Sequence, residues 1–152
     1  MIHCLFLISR QGKTRLTKWF SQSFTNKEKT RYLKEINSIV LTRSSRLCNF
    51  LEWNEYKIVY KRYASLYFIT IVDKEENELG ILEIIHHYVE VLDKYFGNVC
   101  ELDLIFNFHK AYFILDELMV AGHIMEPSKK VILKAIQSQE AFEEENAETG
   151  KK

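Results

Sequence analysis

Two features of this chain suggest chemistry at first sight. His86-His87 could bind a metal, and Cys100-Glu101-Leu102-Asp103 sets a thiol beside carboxylates, as a hydrolase might. Neither survives physical scrutiny. Adjacent residues on a helix point about 100° apart, so the histidine pair cannot chelate one ion, and His3, His109 and His123 are scattered. Carboxylates raise a thiol's pKa and so oppose its activation, and Glu101 and Asp103 suit a helix's first turn, where the macrodipole favours negative charge. There is no GxGxxG, no GxxxxGK[ST] and no GxSxG, which removes the usual footholds for nucleotide and acyl-transfer chemistry. The reading is a non-enzymatic protein with no metal and no cofactor.

The binding features lie elsewhere. Residues 60–68 read YKRYASLYF, with aromatics at Tyr60, Tyr63, Tyr67 and Phe68, the basic pair Lys61-Arg62, and the small pair Ala64-Ser65. Arg10, Lys13, Arg15 and Lys18 crowd an early segment, and Val89, Val99, Leu102 and Leu104 can supply apolar walls. Together they describe a surface for something both apolar and acidic. Nucleic acid is disfavoured, because the aromatics fall at core-facing periods and no basic cluster exceeds two residues.

The chain's net charge of zero conceals a segregation. Residues 1–62 carry 13 Lys/Arg against 4 Asp/Glu, and residues 63–152 carry 8 against 17. Such asymmetry bears on partners more than on fold. A length of 152 residues, 47% of them hydrophobic, suits one domain with a substantial core. No apolar run approaches the ~18 residues a membrane span needs, and MIHCLFLIS reads as a strand, not a signal peptide. Cys4, Cys48 and Cys100 form an odd, dispersed set, expected to be free and mostly buried thiols of a reducing compartment.

The elements that must position these residues follow from periodicity. His3 to Ile8 and Thr14 to Phe20 are strands joined by a turn at Ser9-Arg10-Gln11-Gly12. Thr25-Asn26-Lys27-Glu28 matches a capping box, followed by helical spacing at Tyr32, Leu33, Ile36, Ile39 and Val40. LCNFLEW is a short strand and Asn54-Glu55 a tight connection. Tyr56 to Val72 is too long for one strand and must fold back, with Ala64-Ser65 the only small residues available for the corner. Leu79 to Phe96 is an amphipathic helix ended by Gly97. A second helix is expected from NVCELD to Gly122, and a last one from Pro127 to about Phe142. This gives one domain over 1–142, an α+β fold with a five-stranded meandering antiparallel sheet flanked by helices, and an acidic, disordered tail over 143–152.

The segments SRQGKTRLTKW, YKRYASLYF, EENELGILEIIHHYVEVLDKYFGNVCELDLIFNFHKAYFILDEL and SKKVILKAI, taken in order, resemble the sigma (small) subunit of clathrin-associated adaptor protein complexes. Ser65, Gly97 and LCNFLEW are most similar to the trans-Golgi/endosomal type, adaptor protein complex 1. The resemblance implies a longin-like (SNARE-like) fold and a heterotetramer with gamma-type and beta-type large subunits and a mu subunit. It further implies a cytoplasmic protein peripheral on trans-Golgi and endosomal membranes and on clathrin-coated vesicles. Clathrin and an Arf-type small GTPase would be engaged through the complex.

By the same resemblance, Ala64, Leu66, Val89, Asn98, Val99, Leu102 and Leu104 form a pocket for the leucines of acidic dileucine sorting signals on cargo tails. Arg15 is implied to face the acidic residue, and Arg62, close in sequence to the pocket wall, is assigned with it to recognition of that residue. The alternative is another longin-like trafficking module, such as a coatomer small subunit, sharing the fold without this pocket.

Overall fold

The structure, a computed structural model, describes residues 1–120, 123–124, 137–138, 140–145 and 147. Strands β1 (Ile2–Ser9) and β2 (Thr14–Trp19) form the first hairpin. Its turn is held by Ser9, whose hydroxyl accepts from the Gln11 and Lys13 amides. Gly12 adopts φ 83°, the left-handed region that glycine enters without a Cβ penalty.

Helix α1 (Asn26–Thr42) starts at Thr25, whose Oγ1 accepts from the Glu28 amide at 3.2 Å. Strands β3 (Phe50–Trp53), β4 (Tyr56–Tyr63) and β5 (Leu66–Asp73) then run as a meander with two-residue turns. The corner does fall at Ala64-Ser65, with Tyr63 opposite Leu66.

The sheet order is β2-β1-β5-β4-β3, all antiparallel. It is therefore not a single meander. Helix α1 carries the chain from the β2 edge to the far edge, and the return places β5 beside β1. That topology centres the two most apolar strands, each buried along most of its length on both faces.

One sheet face packs on α1, with Phe6, Ile8, Ile36, Val40, Ile58 and Ile69 in the core. The other packs on α2 (Glu78–Phe96) and α4 (Phe108–Leu118), with Leu5, Leu7, Phe68, Tyr88, Leu92 and Ile114.

The second expected helix differs from its prediction. It is divided into α3 (Glu101–Phe106) and α4 at Asn107, whose φ −128° and ψ 38° leave the helical well. Asparagine side chains compete with helical backbone bonds, which makes this a cheap place to break. Helix α4 ends at Leu118 rather than Gly122, because Met119–Val120 and His123–Ile124 pair as a small hairpin, β6 and β7.

Pro127 and the SKKVILKAI segment lie outside the described residues. Residues 140–145 and 147 are helical, so helix enters the stretch expected to be frayed. It is tethered there by Lys110 Nζ to Glu143 Oε2 at 2.7 Å and by the Tyr95 hydroxyl, which donates to Glu140. Cys4 is buried and Cys100 half-buried, but Cys48 is exposed, contrary to the expected burial. No helix among the described residues is long and apolar enough to cross a membrane.

Candidate functional site

The candidate site lies where the C-terminal end of α2 meets α3 and the β4–β5 turn. Helix α2 stops at Gly97, in the left-handed conformation with φ 66°, and Asn98 follows at φ 70°. Two consecutive left-handed residues turn the chain sharply back. Asp93 fixes that turn: its backbone carbonyl accepts from the Gly97 and Asn98 amides. Its carboxylate accepts from the Val99 amide at 2.9 Å and from the Tyr63 hydroxyl. The bond to Asp93 holds the Tyr63 hydroxyl's pKa above its usual range. One carboxylate thus ties helix, turn and sheet together.

The turn sends Val99 inward. Leu66, Val89, Val99 and Leu104 are 0–2% exposed and belong to one core cluster. The other implied pocket residues sit outside it: Ala64 and Asn98 are exposed, and Leu102 is 60% exposed. The apolar residues are thus closed on themselves, with Leu102 at the surface beside them. Ala64 occupies φ 52° in the two-residue β4–β5 turn, a left-handed conformation that costs a residue bearing a Cβ about 1–2 kcal/mol, so the turn holds strain at the edge of the implied pocket.

Arg15 reaches the same corner by a device that alternation does not reveal. Leu7 pairs with Leu16 and Ile8 with Thr14, which leaves Arg15 as the extra residue of a β-bulge. A bulge re-aims its side chain. Here the guanidinium meets α3, with Nε 2.8 Å and Nη2 2.7 Å from Glu101 Oε1. Both side chains are about three-quarters buried.

Arg62 does not join this group. Its side chain follows Tyr60 onto the α1 face, over the Tyr67 ring at 5.9 Å, with Nε donating to the Ala64 carbonyl at 3.4 Å. There it lines a cleft with Arg43, Ser44, Asn49 and Tyr67.

Asp93, Tyr63 and the pairing role of Glu101 are the site features that sequence reasoning missed. Glu101 was legible as a helix-start carboxylate, but nothing local announces its arginine partner 86 positions away. Asp93 looks like any polar residue on an amphipathic helix. Among the described residues, no three His, Cys, Asp or Glu side chains converge as a metal site. His86 instead pairs with Glu90 on its own helix and contacts Lys61 Nζ through Nδ1.

Comparison with known proteins agrees with this architecture. The chain is 66% identical over 140 residues to the AP-1 complex subunit sigma-2 of Dictyostelium discoideum, covering 92% of this chain and 90% of that protein. It is 59% identical over 144 residues to the AP-1 complex subunit sigma-1 of Arabidopsis thaliana, covering 95% and 89%. With human AP-1 complex subunit sigma-1A the figure is 52% over 146 residues, covering 96% and 92%. A chain from a homology model of the full-length AP-3 complex in a stretched open conformation superposes with a TM-score of 0.74 at 29% identity, covering 98% and 99%. The family model described as the clathrin adaptor complex small chain matches residues 1–143, and the chain belongs to that family.

Proposed function

We propose that this chain is the small subunit of an AP-1-type adaptor complex and carries the pocket for acidic dileucine signals. Its partners would be gamma-type and beta-type large subunits and a mu subunit, with clathrin and an Arf-type small GTPase engaged through the assembly. Its place would be the cytoplasmic surface of trans-Golgi and endosomal membranes. The names of the relatives support the complex type.

The observation that carries the pocket reading is a convergence at one corner. The apolar cluster of Leu66, Val89, Val99 and Leu104 lies against α3, and a re-aimed Arg15 reaches the first turn of that same helix. The four side chains of the cluster are buried at 0–2% exposure, so on this reading binding requires α3 to move away from the sheet, with Leu102, 60% exposed, at the entrance.

The magnitudes suit transient capture. Burying two leucines contributes about 3–6 kcal/mol, a partly exposed ion pair adds about 0–1 kcal/mol, and ordering an extended peptide opposes both. A single signal should bind at roughly micromolar strength or weaker, and firm recruitment then needs several contacts on one membrane. The reading is tested by co-expressing the chain with gamma-, beta- and mu-type subunits and titrating the purified complex with an acidic dileucine peptide. Co-purification with those subunits and leucine-dependent binding are expected. Recovery of coatomer subunits instead would overturn it.

A further inference from the structure

We propose that Glu101 is the chain's own occupant of the Arg15 position, so that the acidic residue of a sorting signal binds by displacing it. This rests on the pocket reading above. Both the Nε and Nη2 groups of Arg15 converge on the single oxygen Oε1 of Glu101, in a pair only about one quarter exposed. A carboxylate arriving from solvent therefore meets a guanidinium already satisfied by a carboxylate.

The occupant is also coupled to the apolar half of the site. Glu101 opens a helix of only six residues that carries Leu102 and Leu104, and Val99 stands two positions before it. The start of that helix is pinned by the Cys100 amide to Asp103 Oδ2 at 2.9 Å and by the Val99 amide to Asp93. A shift of α3 that admits leucines can be followed by the long side chains of Arg15 and Glu101, so the pair parts only when a peptide carboxylate competes for the guanidinium. Discrimination for the acidic residue is then the difference between two similar ion pairs, and Glu101 sets how small that difference is.

The test uses the reconstituted four-subunit complex and three peptides: an acidic dileucine sequence, the same sequence with glutamine for the acidic residue, and the acidic sequence with both leucines changed to alanine. Glu101→Gln keeps size and polarity while removing the charge. It should tighten the acidic peptide roughly fivefold and leave the glutamine peptide unchanged. The gain should shrink at high salt and vanish in an Arg15→Ser background, which separates a local exchange from a general rise in positive potential.

An unchanged or weakened affinity for the acidic peptide, with leucine-dependent binding intact, would overturn the displacement role alone. Equal gains for both dileucine peptides would overturn it too. Wild-type binding that ignores the leucines would instead sink the pocket reading, and the proposal with it.

Discussion

The two ends of α2 are built on opposite plans. At its N-terminus, Asn77 caps the helix by accepting from the Leu79 and Gly80 amides, and Lys57 reaches up from β4 to close the junction. The Lys57 ammonium donates to Glu78 Oε1 at 2.6 Å and to the Glu76 carbonyl at 2.9 Å, on a residue only 7% exposed. At the C-terminus, two left-handed residues, a six-residue helix and an exposed leucine replace that closure. One end is a fixed joint, whereas the other stores conformational cost at Gly97 and Asn98 beside apolar side chains that, on the proposed pocket reading, part for a ligand. That reading puts function at the end with the strained backbone.

The strongest way to break this contrast is to charge the movable end. Val99→Asp places a carboxylate among Leu66, Val89 and Leu104, at a cost of several kcal/mol if it stays unpaired. Peptide affinity should fall by more than ~100-fold, and because Val99 is 2% exposed the melting temperature should fall as well. Leu102→Ser separates the two effects: at 60% exposure it should weaken binding while leaving the melting temperature alone. Titration and thermal melts on both variants decide it, and wild-type affinity in Val99→Asp would remove the pocket from this corner.

The fixed end should behave in reverse. Glu78→Gln removes the charge facing the buried Lys57 ammonium and leaves it only neutral acceptors, so the melting temperature should drop by several degrees with peptide binding unchanged. The pH dependence has a definite sign. The hydrogen bond from Lys57 holds the Glu78 carboxyl below its ordinary value of 4.5, so its stabilisation is fully present above that pH. It is lost as pH falls through the depressed folded value. An acid titration of stability should lose this component in wild type below pH 4.5 and lack it in Glu78→Gln. Parallel curves for the two proteins would remove the ion pair from the account.

A smaller effect belongs to the hinge itself. Gly97→Ala meets no atom within 4 Å, so only backbone strain at φ 66° is at stake, about 1 kcal/mol. Denaturant unfolding measures it directly. A neutral result would mean that the turn relaxes freely and stores nothing.

The contrast also explains what could be read in advance. The five strands, the β4–β5 corner and α2 with its glycine stop were legible because hydrophobic period and turn residues act locally. The insertion of β5 beside β1 was not, since strand order is a long-range choice. Nor was the break at Asn107, where the apolar spacing runs on unbroken. At the site, Val89, Val99 and Leu104 were legible as apolar walls and fall in one cluster, whereas their role in a leucine pocket came only from family resemblance. Arg62 came from nearness in sequence, and the pleat sends it to the opposite face. Arg15 stands where it does because of a bulge, which no alternation pattern predicts.

The finest test concerns that arginine. Arg15→Ser should weaken an acidic dileucine peptide only several-fold, equivalent to about 1 kcal/mol at most, because the contact is partly solvated and wild-type Arg15 already has a partner in Glu101. The glutamine version of the peptide should be almost indifferent. Raising the salt concentration should shrink the Arg15→Ser deficit, because screening has already weakened the wild-type contact. The Val99→Asp deficit should persist, because desolvating a carboxylate is little affected by ions in solution. Affinities at two salt concentrations for both variants supply the comparison. If Arg15→Ser loses equally at both, its contribution is packing rather than charge, and the bulge serves to place an alkyl chain instead of a cation.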